Sequence, residues 1–129
     1  MQNLDKSTDR IAHELVKKPW GGYLVLEKYS NAYWLKKLFI HKGEELSLQS
    51  HQNRSEIWIV LKGRIRVQKE DSFSILRKGE FIKINKKEKH RIYGITNAQV
   101  LEVAFGKVEE EDIIRYQDKY GRIKKIIKK

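Results

Sequence analysis

The chain contains no cysteine among its 129 residues. Disulfides, thiolate metal sites and cysteine nucleophiles are therefore excluded, and the composition suits a reducing compartment, with the cytoplasm as the expected location. Proline occurs once, at Pro19, and no stretch reads as a linker, an internal repeat or a low-complexity segment beyond the lysine-rich end. No apolar run approaches the roughly 20 residues that cross a bilayer. Residues 1–10 are polar and charged, without the apolar stretch of a secretory signal. Zinc-finger spacing, a helix-turn-helix pattern and an RNP-type aromatic cluster are absent as well. The length suits one domain, which at this size buries roughly two-thirds of its unfolded surface without staples.

Charge of one sign is in excess. Lysine and arginine number 28 against 17 acids, a formal net charge of +11. Such a field attracts nucleic acid, membranes and small phosphorylated metabolites alike. Lys124-Lys125 and Lys128-Lys129 read as a solvated tail. With no nucleic-acid motif and no spanning segment beside the charge, neither a nucleic acid nor a membrane is the expected partner.

The body reads as a succession of short strands. Tyr23–Leu26, Leu35–Ile40, Ile57–Leu61, Arg64–Lys69, Phe73–Leu76, Phe81–Ile84, Arg91–Ile95 and Val100–Phe105 are rich in β-branched and aromatic residues and are separated by turn residues. This spacing predicts an all-β sandwich or barrel. Leu61-Lys62-Gly63-Arg64 reads as a tight hairpin, and a second turn falls at Lys69-Glu70-Asp71-Ser72. Short helices are expected at the two ends: the apolar spacing of Ile11, Leu15 and Val16 marks one, and the acids Glu109 to Asp112 leading into Ile113-Ile114 mark the other. Both faces of Leu35–Ile40 carry apolar groups, so either Lys36 or Lys37 lies near the interior, where it needs an anion.

Four residues form a candidate metal set. Gln49 and His51 are two apart and point the same way on an extended strand. Glu56 opens the next apolar run and folds back beside them, and His90 joins from about forty residues downstream. An amide oxygen, two imidazoles and a carboxylate suit a divalent cation: zinc first, with manganese, iron, nickel or cobalt served by the same donors. Trp58 shares a strand face with Glu56 and is expected in the interior; Trp20 and Trp34 read as core anchors, and His13 and His41 as ordinary histidines. Arg54 is expected to pair with an acid and hold the ligand loop, and Asp112 and Arg115 to form a structural ion pair.

Gly43, Gln49, His51, Glu56 and Gly63 resemble the first motif of the cupins, and Gly79 with His90 is similar to the second. More narrowly, 18–122 resembles the type II mannose-6-phosphate isomerase family. The landmarks are Pro19-Trp20-Gly21, then Leu46-Ser47-Leu48-Gln49 with His51 and Arg54, then Asp112-Ile113-Ile114-Arg115 with Asp118, Tyr120, Gly121 and Arg122. Departures are Gln52 and Asn53 where histidines are usual, Asn85-Lys86-Lys87 for a Pro-x-Gly turn, Gly94 for an asparagine and Lys42 for a proline. None removes a candidate ligand.

The resemblance implies a cupin double-stranded β-helix, or jelly-roll barrel, with short helical terminal segments. It places an N-terminal extension at 1–17, the cupin domain at 18–122 and a basic tail at 123–129. It implies a metal-dependent isomerase interconverting mannose 6-phosphate and fructose 6-phosphate, with Gln49, His51, Glu56 and His90 on the metal and Arg122 and Lys36 on the phosphorylated sugar, in a homodimer. The alternatives are a non-catalytic cupin that binds a sugar phosphate or nucleotide sugar, and a metal-dependent cupin acting on another small molecule.

Overall fold

The computed structural model describes residues 15–123. Eleven strands run through them: β1 (Leu15–Lys18), β2 (Gly21–Tyr29), β3 (Tyr33–Ile40), β4 (Leu48–Ser50), β5 (Arg54–Lys62), β6 (Arg64–Lys69), β7 (Ser72–Arg77), β8 (Phe81–Ile84), β9 (His90–Gly94), β10 (Ala98–Gly106) and β11 (Ile114–Gln117). They build two antiparallel sheets, ordered β1-β2-β3-β10-β5-β8 and β11-β4-β9-β6-β7. The inward faces enclose a main apolar cluster and a smaller one of Trp34, Ala104 and Val108, as in a jelly roll.

Alternation sets what lies inside. On β3 the buried positions are Trp34, Lys36, Leu38 and Ile40. Lys36 is therefore the inward lysine of the pair, and its anion is Glu110, 2.8 Å away. Cross-strand pairing carries the same face onward. Lys36 lies opposite Glu102 and Trp34 opposite Ala104; Glu102 in turn lies opposite Trp58, and Ala104 opposite Glu56. The apolar remainder, including Leu38, Ile40, Val60, Ile65, Val67, Ile92 and Val100, packs as one cluster. Each such side chain contributes roughly 1.5–3 kcal/mol by leaving water.

Three local expectations are corrected. Among the described residues there is no helix. Leu15–Lys18 pairs along Gly21–Leu24 as strand β1, while the rest of the expected N-terminal helix, with His13, lies outside the described residues. After Glu109 the chain turns and then joins the sheet, Ile114 lying opposite Ser50, because the Asp112 carboxylate serves another loop rather than a helix terminus. The Gly63 turn is not a hairpin, since β5 and β6 belong to different sheets. The chain passes from one sheet to the other there, and a side chain at Gly63 (φ +79°) would meet the Asn97 carbonyl oxygen at 2.3 Å. The turn at Glu70-Asp71 is a true hairpin, with Lys69 opposite Ser72.

Candidate metal centre

His51, Glu56 and His90 are all buried, and their ligand atoms lie within 4.8 Å of one another. Three strand ends bring them together. His51 follows β4, Glu56 sits on β5 two residues into the strand, and His90 opens β9 opposite Gln49. The His51 loop is tied down by Asp112. Its carboxylate oxygens accept the backbone N–H groups of Gln52 and Asn53 at 2.8 and 2.9 Å, and its backbone carbonyl accepts His51 Nδ1–H at 2.7 Å. Burial opposes the Asp112 charge, but those two backbone donors outweigh it and hold the carboxyl below its ordinary range. His90 Nδ1–H is held in the same manner by the Glu88 carbonyl at 2.8 Å.

These carbonyls set both tautomers. Each ring must donate from Nδ1, so each neutral ring presents a lone pair on Nε2. The two Nε2 atoms face each other at 3.2 Å. His51 Nε2 also lies 3.3 Å from a Glu56 oxygen, and His90 Nε2 lies 4.0 Å from the other. Burial, then the Arg54 guanidinium and His90, push the His51 pKa down to about 3, so the ring is neutral at pH 7 and its contact with Glu56 is not an ion pair. Two lone pairs and a carboxylate converging in a buried space suit a cation, and the Arg54 guanidinium already supplies one positive charge to His51 and Glu56. The donor set therefore fits a divalent metal with two nitrogens and one carboxylate, its imidazoles steadied by carbonyls behind them. Gln49 shares the inward face with His90, but its amide nitrogen donates to Ser47 Oγ at 3.0 Å.

Arg54 sits against this cluster. Its Nε–H donates to Glu56 at 2.9 Å, Nη1 to the Glu109 carbonyl at 2.8 Å, and Nη2 faces His51 Nε2 at 3.2 Å. The expected pairing with an acid is present. Trp58 Nε1–H reaches the other Glu56 oxygen at 3.0 Å, and its ring meets His90 edge-on at 5.2 Å. Trp58, Trp20 and Trp34 are all buried, whereas His41 is exposed.

A cavity of about 290 Å³ is lined by Gln49 and Arg54 of this cluster and by Lys36, Glu102, Glu110, Arg115 and Arg122. Arg122 reaches it while bound to Asp118 through Nε–H at 2.8 Å. The expected Asp112–Arg115 ion pair does not form, because Asp112 faces the His51 loop. Glu102 went unnoticed in the sequence. Burial, then the nearby Glu56 charge, hold its carboxyl above the ordinary carboxylate range, against Lys36, Arg54 and the Trp34 Nε1–H bond of 2.8 Å. The signal was present in Val100-Leu101-Glu102-Val103-Ala104, a carboxylate embedded in an apolar run.

A closed β shell with a buried His-Glu-His cluster defines a cupin. Consistent with that, an RmlC-like cupin from Shewanella frigidimarina superposes with a TM-score of 0.66 at 17% identity, over 77% of this chain and 87% of that one. The chain belongs to the family described as mannose-6-phosphate isomerase C-terminal, whose model matches residues 5–118. A Salmonella montevideo mannose-1-phosphate guanylyltransferase is 32% identical over 92% of this chain and 26% of its own length. The xanthan biosynthesis protein XanB of Xanthomonas campestris is 33% identical over 85% of this chain and 24% of its own. The chain thus spans about a quarter of the length of these relatives.

Proposed function

We propose that this cupin interconverts mannose 6-phosphate and fructose 6-phosphate. The observation that carries the reading is the convergence of two imidazole lone pairs and the Glu56 carboxylate beside a basic cavity, in a chain of the mannose-6-phosphate isomerase C-terminal family. His51, Glu56 and His90, with Gln49 as a fourth donor after its amide turns, would hold a divalent metal, zinc or another of the same donor preference. When bound, the metal supplies Lewis-acid polarisation of the sugar oxygens and offsets developing negative charge.

The rest falls to the chain's own residues. In the open-chain aldose the proton on C2 must leave, a proton must arrive at C1, and the hydroxyl proton on O2 must pass to O1. Glu102 is the carboxylate placed to carry the carbon-bound proton: Trp34 fixes one of its oxygens and the side chain lines the cavity. A carboxylate whose pKa is raised is a stronger base when ionised and gives the proton back nearer neutral pH. Replacing Glu102 with Gln should abolish solvent deuterium uptake at C2 while sugar-phosphate binding persists; uptake at the normal rate would remove Glu102 from that role. Lys36 and Arg122 add positive charge to the cavity wall.

With no cysteine to oxidise and a phosphorylated sugar as substrate, the reading places the protein in the cytoplasm. It also includes a homodimer. Phe73 and Ile75 on the edge strand β7 and Phe81 on the edge strand β8 are exposed, as edges covered by a second copy would be. Light scattering of a concentrated sample reads this directly, and a monomer at all concentrations removes it.

A turnover assay on mannose 6-phosphate decides the main reading, with fructose 6-phosphate measured before chelation, after chelation and after metal is restored. Turnover that follows the metal supports isomerisation. Sugar-phosphate binding with no turnover in the metal-loaded protein supports the second reading, a non-catalytic binding module. One observation favours that alternative: the Arg54 guanidinium already donates to His51 Nε2 and to Glu56.

A further inference from the structure

Arg115 is unlike the other arginines and Lys36 around the cavity. Lys36 is paired with Glu110, Arg54 with Glu56, and Arg122 with Asp118. Arg115 lines the same cavity, yet its guanidinium makes no hydrogen bond and no ion pair with the described residues, and its Nε is buried without a partner. A buried N–H left unpaired costs about 1–3 kcal/mol. Burial and the adjacent Arg122 both press against its charge, with Asp118 in opposition. Arginine keeps its proton under such pressure, so relief has to come from an anion. Lys18, also on the cavity wall, has no ion pair among the described residues either. Its ammonium lies 5.9 Å from the centre of the Tyr23 ring.

Register places this cation relative to the metal cluster. Arg115 lies opposite Gln49, and Gln49 lies opposite His90. The three side chains therefore share one inward face across β11, β4 and β9, and two strand spacings, roughly 10 Å, separate the backbones of Arg115 and His90. A small molecule with a reacting group at one end and an anionic group at the other can reach both. The planar fork of arginine matches two oxygens of an oxyanion, and three cations on one wall, Lys18, Arg115 and Arg122, favour the doubly charged phosphate monoester over a singly charged carboxylate.

We infer that Arg115, assisted by Arg122 and Lys18, is the phosphate-holding residue of the cavity, and that the ligand is a phosphate monoester whose other end lies at His51, Glu56 and His90. This rests on the sugar-phosphate reading for the identity of the far end, but not for the anion itself.

The test is calorimetric titration of the full chain with inorganic phosphate, mannose 6-phosphate and unphosphorylated mannose, followed by steady-state kinetics. The wild-type protein should bind both phosphates, with affinity that falls as salt rises, and bind mannose much more weakly. Arg115→Gln should weaken both phosphates at least tenfold and raise KM more than it lowers kcat; Arg115→Lys should recover part of the loss. Lys78→Gln, which removes one exposed charge away from the cavity, is the control for the general field. Phosphate affinity unchanged in Arg115→Gln, or lost equally in Lys78→Gln, overturns the assignment. A thermal melt identifies any Arg115→Gln protein that has not folded, and Arg115→Lys, which keeps the charge but not the fork, then decides: full affinity in it overturns the assignment. Phosphate binding without turnover in the wild type leaves Arg115 in place and removes only the isomerase.

Discussion

The same strands that build the His51-Glu56-His90 cluster also build the apolar core, and the two halves obey different rules. On β3 the inward residues run from Trp34 and Lys36 to Leu38 and Ile40; on β10 they run from Glu102 to Val100 and Ala98; on β5 from Glu56 to Val60; on β9 from His90 to Ile92. Trp58 sits at the border, its ring among the apolar residues and its Nε1–H on Glu56. In the apolar half the contacts are short-ranged and tolerant of swaps of similar volume. In the polar half the groups are held by directional hydrogen bonds, several of them to one side chain, as Arg54 is to Glu56, His51 and the Glu109 carbonyl. One half holds the shell shut; the other spends part of that stability on bringing polar groups together in its interior.

Two substitutions on one strand expose the contrast most sharply. On the proposed isomerase reading, His90→Ala should lower turnover on the order of 10³-fold by removing a proposed metal donor, about 4 kcal/mol in the transition state. Its effect on unfolding in chelator should be small by comparison. Ile92→Ala, two residues on and fully buried, should do the reverse. It should cost about 2–5 kcal/mol in denaturant unfolding while metal affinity stays within a few-fold. If both variants lose stability and metal binding in parallel, the two halves are one cooperative unit and the contrast is wrong.

Asp112 tests how far the polar half extends behind the ligands. Asp112→Ala removes the acceptor of the Gln52 and Asn53 N–H groups while leaving the backbone carbonyl that holds His51. Metal affinity should fall 10–100-fold. An unchanged competition titration against a chelator would confine the site to its direct donors.

The pH dependence of the metal-free protein gives the smallest effect. His51 has a folded pKa of about 3, below the ordinary histidine value of 6.5. Between those values the unfolded chain binds the proton more readily, so stability falls as pH drops from 6.5 toward 3 and is fully retained above 6.5. The slope from this one residue is about 1.4 kcal/mol per pH unit, or about 2 kcal/mol between pH 6.5 and 5. His51→Gln should flatten it in chelator-treated urea titrations; an unaltered slope assigns the effect to other groups.

Much of this was legible in the residues. Strands β6 and β8 match their sequence-based limits, and His51, Glu56 and His90 meet because their spacing is that of the cupin motifs. Glu102 was hidden by the chemistry of its own strand. Leu101, Val103 and Phe105 are as apolar as Val100 and Ala104, so alternation alone does not say which face is inside. At Gly63 local residues specify a bend, while the sheet that receives the next strand is decided by distant pairings. The acids from Glu109 to Asp112 imitate a helix start, and only the folded chain shows the Asp112 carboxylate spent on Gln52 and Asn53. The acid three residues before Arg115 in the sequence faces the His51 loop instead of pairing with it.

Arg54 carries one last consequence. A guanidinium resting on His51 and Glu56 acts as an internal placeholder ion, neutralising the centre before any metal arrives. Folding need not wait for loading, unlike small zinc domains that collapse only around their ion. The barrel should therefore keep its far-ultraviolet circular dichroism after exhaustive chelation, and exchange one divalent cation for another without passing through an unfolded chain.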